Sequence, residues 1–170
     1  ALDTASPQKY IDCNADEGDS GTYSDRMIME SDPFSLLEGL IIAALAVGAD
    51  RGYIYLREEY PLAEEVLNRA IDVAYANGYL GKAIAGSNFS FDLELRLGAG
   101  AYICGEETSM LESLEGKRGE VRSKPPLPAI SGLFGQPTVV NNVISLATVP
   151  IILAQGAEHY QRYGAGRCRG

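Results

Sequence analysis

The chain has 170 residues, of which 46% are hydrophobic and 22% charged, and its formal net charge is -9. This composition is globular; it excludes a disordered chain, a coiled coil or a disulfide scaffold, and the length suits about one domain. Nucleic-acid affinity rests on Lys and Arg against phosphate, so a chain this acidic is a poor candidate for that role.

Taken in chain order, residues 1–7 show no basic or apolar segment of the kind a signal peptide needs. Residues 9–13 are a short strand candidate. Residues 36–49 form the longest apolar run, led by Ser31-Asp32-Pro33. That pattern predicts a buried helix with a cap and a proline in its first turn, ended by Asp50-Arg51-Gly52. The run is shorter than the ~20 residues of a membrane span, so no membrane insertion is expected. Tyr53-Ile54-Tyr55-Leu56 predicts a strand. A second helix opens at Pro61, with apolar residues at Leu62, Val66, Leu67, Ala70, Ile71 and Ala74, and stops at Asn77-Gly78.

Residues 91–97 alternate apolar and polar, which predicts a strand with one wet face. Residues 109–115 read as a helix and 119–137 as a long loop rich in Pro and Gly. Val143 to Gln155 reads as an apolar helix and residues 157–163 as a short one, while 164–170 resemble the start of another element. Strand and helix alternate, which predicts an α/β layer built on a mostly parallel sheet.

Three cysteines, Cys13, Cys104 and Cys168, and a single histidine, His159, are too few and too scattered for a zinc or iron–sulfur site. The odd cysteine count argues against a secreted disulfide framework and for the cytoplasm. Cys104 has no histidine nearby in sequence to activate it, so nucleophilic catalysis has no support.

Four segments could carry chemistry. Asn14-Ala-Asp16-Glu17-Gly-Asp19-Ser-Gly-Thr22 follows the first strand directly, where open α/β sheets bind ligands. Its carboxylates and amide would accept from ring N–H groups or hydroxyls and repel phosphate; an acidic solvated turn is the competing reading. Gly98-Ala-Gly100-Ala-Tyr102-Ile103-Cys104-Gly105-Glu106-Glu107-Thr108 lies between a strand and a helix. It fails the G-x-G-x-x-G dinucleotide pattern at Ile103. Its glycines would let a flat ligand approach the backbone, or simply fit a tight turn. Arg118, Arg122 and Lys124 form a cationic group in the proline-rich loop. Asn141-Asn142 precede the last long helix and could cap it or hold a phosphate.

Together with Leu114-Glu-Gly-Lys-Arg118, Lys124-Pro-Pro-Leu-Pro-Ala129 and Pro137-Thr-Val-Val-Asn-Asn-Val143, these segments resemble one family. It is the NADH-binding flavoprotein subunit of respiratory complex I, with the diaphorase subunits of NAD-linked hydrogenases and of soluble NAD-dependent formate dehydrogenases. The resemblance implies a Rossmann-like α/β core with a flavin at the carboxyl ends of its strands, residues 1–170 forming one FMN- and NAD(H)-binding domain. It implies FMN contacts from Asn14, Asp16, Glu17, Tyr102, Gly105, Glu106, Asn141 and Asn142, and NAD contacts from Asp19, Glu107, Lys124 and Leu127.

No side chain of such a site acts as a catalytic acid, base or metal ligand; hydride passes between nicotinamide and flavin, and electrons then move to iron–sulfur clusters. The resemblance also implies an iron–sulfur subunit of thioredoxin-like type and a larger catalytic subunit as partners. A glycine-rich FMN loop would precede residue 1, and a [4Fe-4S] ligand motif would follow residue 170. Complex I members commonly carry Glu at the Asp19 position, Pro at Ser20 and an aromatic residue at Leu127. Gly18-Asp-Ser-Gly-Thr22 and Lys124-Pro-Pro-Leu-Pro128 look more like the formate dehydrogenase branch. The alternatives are the complex I or hydrogenase subunit and, as a non-enzymatic reading, a truncated module that docks a partner without flavin.

Overall fold

The computed structural model describes residues 4–169. Residues 1–3 of the N-terminal segment and residue 170 of the C-terminal one lie outside the described residues. Four strands, β1 (Tyr10–Ala15), β2 (Arg51–Leu56), β3 (Asp92–Leu97) and β4 (Thr138–Asn142), form one sheet in the order β3-β2-β1-β4. All three pairings are parallel, in keeping with the alternation of strands and helices along the chain.

Side-chain alternation along β1 divides the core in two. Ile11, Cys13 and Ala15 point to one face and join Ile54, Leu56 and Leu93 in the larger cluster. Four helices supply the rest of that layer: α1 (Ser24–Ser31), α2 (Pro33–Val47), α3 (Pro61–Ala76) and α5 (Val143–Gln155). Tyr10, Tyr53 and Tyr55 occupy the opposite face beneath Met110 and Leu111 of α4 (Glu107–Leu114), with Cys104 and Leu133. α6 (Ala157–Tyr160) and a two-stranded antiparallel ladder, β5 (Gly164–Ala165) with β6 (Cys168–Arg169), complete the chain.

Local chemistry accounts for the element ends. Asp32 accepts from the Ser35 amide at 3.3 Å and Pro33 takes the first turn of α2. That helix stops earlier than Asp50-Arg51-Gly52. Gly48 adopts φ 72°, which a residue without Cβ reaches at no cost, and Arg51 and Gly52 already pair with β1. In α3, Leu62 is exposed and Ala63 takes the buried place in the stripe, because the helix face is set by Leu67, Ala70, Ile71 and Ala74. The acidic segment after β1 runs into α1, a helix that no local pattern announces. Thr138–Asn142 forms a strand rather than only a helix start: the β-branched Thr138-Val139-Val140 run is drawn beside β1.

Gly39 decides how closely α2 and α5 cross. A Cβ built there would lie 2.0 Å from the Leu146 carbonyl oxygen, so only glycine permits the packing.

Candidate functional site

The strand order places the site. β1 connects onward to β2 on one side while β4 lies on its other side, so a crevice opens between the carboxyl ends of β1 and β4. This is the topological switch point where open α/β sheets bind ligands. A cleft of about 690 Å³ occupies it, within the usual range for small-molecule sites. Asn14 comes from the end of β1, Asp16, Glu17 and Asp19 from the turn after it, Asn141 and Asn142 from the end of β4. Tyr102, Gly105 and Glu106 come from the loop entering α4, and Glu107 is the first residue of that helix. Segments far apart in sequence therefore share one wall.

Several of these side chains hold the cleft together. Asn14 Nδ2 donates to the Gly105 carbonyl at 2.8 Å and its Oδ1 accepts from the Asp16 amide at 3.1 Å, binding the first turn to the second. Close approach is needed here: a Cβ on Gly105 would stand 3.3 Å from the Asp16 carbonyl. Asn142 caps α5 by accepting from the Ile144 amide at 2.9 Å. At the rim, Tyr102 donates to Asp19 Oδ1 at 3.0 Å, and this bond pushes the phenol upward from its ordinary pKa.

Glu17 is turned into the protein. Its carboxylate accepts from the amides of Asp25 and Arg26 and from the hydroxyls of Ser24 and Tyr60, so it caps α1. Four donors already occupy its oxygens, although the residue still lines the cleft. Glu106 is likewise the cap of α4, accepting from the amides of Thr108 at 2.8 Å and Ser109 at 2.9 Å. Burial pushes its carboxyl up, but Thr108, Ser109 and Lys124 outweigh that and hold it below the usual range.

Lys124 and Leu127 are not brought to the wall of the cleft. Lys124 pairs with Glu106 at 3.1 Å and with Glu107, two residues that do line the cleft. Leu127 is 53% exposed on the proline-rich loop. Arg122 is drawn away from the cleft by Glu112, Glu115 and the Gly132 carbonyl.

Asp16 and Asn141 remain open to a ligand. Asp16 has no side-chain hydrogen bond among the described residues, and burial, opposed by Arg57, raises its pKa. Asn141 has no side-chain partner among them either. Sequence reasoning missed Asp25 of α1, which also lines the cleft. The acidic residue in the first turn after a Tyr-Ser pair was the signal available.

Residues 1–151 match the family described as the Nuo51 FMN-binding domain. The chain belongs to this family. Among relatives of this FMN-binding domain, an NADH-quinone oxidoreductase subunit of Rhizobium meliloti (strain 1021) is 53% identical over 166 residues, covering 98% of this chain and 39% of that protein. NADP-reducing hydrogenase subunit HndC of Solidesulfovibrio fructosivorans is 49% identical over 170 residues, covering 100% of this chain and 34% of that protein. A crystal structure of NAD+-reducing [NiFe]-hydrogenase in the H2-reduced state superposes with a TM-score of 0.82 at 42% identity, covering 98% of this chain and 28% of that one. The domain thus spans little more than a third of the curated relatives it matches.

The lining fits part of FMN. Asp16 and the Asn141 amide suit the N–H of an isoalloxazine ring and the hydroxyls of a ribityl chain. Among the described residues that line the cleft there is no Lys, Arg or His, so the phosphate dianion finds no cation there. No helix among the described residues is long and apolar enough to cross a membrane.

Proposed function

We propose that the cleft binds the ring and ribityl chain of FMN and that the chain serves as the flavin-binding core of an NADH-oxidising subunit of complex I or hydrogenase type. The observation that carries this is the convergence of Asn14, Asp16, Asn141 and Asn142 at the β1/β4 switch point in a member of an FMN-binding family. Bound FMN supplies the acceptor for hydride from a nicotinamide. The chain's own residues orient: Asn141, Asn142 and Asp16 meet ring and ribityl donors, Glu17 and Glu106 fix the helix starts around them, and Tyr102 with Asp19 shapes the rim. Asp19, Glu107 and Lys124 stand toward the dinucleotide, Lys124 offsetting the two adjacent carboxylates that would otherwise repel pyrophosphate. The Leu127 contact with the adenine belongs to the same reading, supported by the family resemblance.

Complex I and hydrogenase subunits among the relatives favour those assemblies over a formate dehydrogenase. An iron–sulfur subunit, a larger catalytic subunit and a [4Fe-4S] cluster in the parent protein are part of the same proposal. The phosphate would be held outside this cleft lining, by a glycine-rich loop of the parent subunit.

The test is a fluorescence-quenching titration of the chain with riboflavin and with FMN. Saturable one-to-one binding of both, with affinities within about tenfold of each other, or ~1.4 kcal/mol, is expected because the lining reads ring and ribityl chain. Quenching by neither flavin overturns the reading, and a docking module without flavin then stands.

A further inference from the structure

We infer that Asp25 is a positioning residue of the flavin site, acting through Asn142. The inference rests on the flavin reading of the cleft. Asp25 stands in the first turn of α1 and is only 4% exposed, yet it lines the cleft. Its two oxygens are used differently. Oδ2 accepts from Asn142 Nδ2 at 2.7 Å, while Oδ1 is buried and makes no hydrogen bond among the described residues. The nearby Ile144 amide favours the charged carboxylate, but its hydrogen bond goes to Asn142 Oδ1.

The geometry makes Asn142 a side chain with little freedom. Its Oδ1 is bound by the Ile144 amide and one of its two Nδ2 hydrogens by Asp25. An amide held at both ends is locked in one flip state, so the second hydrogen on Nδ2 has a set direction. Without Asp25 the amide keeps only its bond to Ile144, and the rotation that aims the free hydrogen becomes soft. Asp25 is itself held by α1, whose first amides, those of Asp25 and Arg26, are bound by the Glu17 carboxylate at 3.0 and 3.3 Å. A relay therefore runs from the turn after β1, through the start of α1, to the end of β4. It ties the two sides of the switch-point crevice together across 117 positions of sequence.

Dissociation constants for riboflavin, measured on the chain carrying Asp25→Ala, Asp25→Asn, Asn142→Ala and the double alanine change, test this beside thermal unfolding of the ligand-free proteins. Asp25→Ala should weaken binding about tenfold, and the double change should bind no more than about twofold worse than Asn142→Ala alone, because one effect passes through the other. Asp25→Asn keeps an acceptor for Nδ2 and should stay within about threefold of wild type. Should Asp25→Ala not fold, Asp25→Ser takes its place with the same expectation. Wild-type affinity in the small variant, full additivity in the double one, or failure of Asp25→Asn to restore binding would each overturn the inference. Absence of riboflavin binding to the wild-type chain would instead sink the flavin reading on which it stands.

Discussion

The Glu106 carboxylate meets the Lys124 ammonium at 3.1 Å while its second oxygen caps α4 through the amides of Thr108 and Ser109. One side chain therefore starts a helix and anchors the proline-rich loop. Glu106→Ala should cost about 1–2 kcal/mol of stability, as loss of a cap does, and Glu106→Gln should cost less because an amide oxygen still accepts from both amides. The folded carboxyl lies below its ordinary pKa, so its contribution is present above the unfolded value of about 4.3 and is lost as pH falls through the folded value. Urea unfolding at pH 7 and at pH 3 checks both statements. If Glu106→Gln loses as much stability as wild type on acidification, the assignment of that loss to Glu106 is wrong.

Asp12 is a second case, with the opposite sign. It is fully buried in the middle of β1 and neither oxygen makes a hydrogen bond among the described residues. Burial, only partly opposed by the Tyr53 amide, pushes its pKa far up. Such a group folds in its neutral form. Its stability contribution is whole below the unfolded pKa of about 3.9 and is lost as pH rises toward the folded value. Asp12→Leu should raise the unfolding temperature, and the difference from wild type should widen between pH 4 and pH 8. A pH-independent difference would show that Asp12 is not the titrating group.

Tyr60 donates to Glu17 Oε2 at 3.1 Å, and burial together with that carboxylate pushes its phenol up to about 12. Removal of the hydroxyl in Tyr60→Phe should destabilise by about 1–3 kcal/mol, since a charged acceptor loses a donor. Stability contributed by the raised phenol is present below about pH 10 and disappears as pH climbs toward the folded value. Ultraviolet titration of tyrosinate should show one fewer late-ionising residue in the variant than in wild type, the other being Tyr55, also pushed up to about 12.

Gly39→Ala reverses the usual helix preference. Alanine in an open helix would gain up to about 1 kcal/mol over glycine. Here the new methyl meets the Leu146 carbonyl at 2.0 Å, and separating α2 from α5 should cost about 2 kcal/mol or more. A variant as stable as wild type in chemical denaturation would mean that the two helices do not cross as closely as described.

Much was legible in the sequence because it depends on neighbours along the chain. Pro33 and Pro61 mark helix starts, the 91–97 alternation marks a strand with one wet face, and the apolar run ending at Gln155 marks α5 at its observed bounds. The residue types after β1 and before α4 marked both turns as candidates, with a solvated turn and a tight turn as the competing readings. Other features were decided only by long-range packing. β4 is five residues long, and its Asn141 and Asn142 read locally as helix caps. Only pairing beside β1 makes them the second wall of a cleft.

The uses of individual carboxylates were also invisible. Glu17, Glu106 and Asp25 are all acids near a turn, and nothing local separates them. Tertiary structure gives Glu17 to the amides of α1, Glu106 to those of α4 and to Lys124, and Asp25 to Asn142. A hydrogen bond depends on a few tenths of an ångström and a direction, quantities that sequence spacing leaves open and the packed sheet and helices decide.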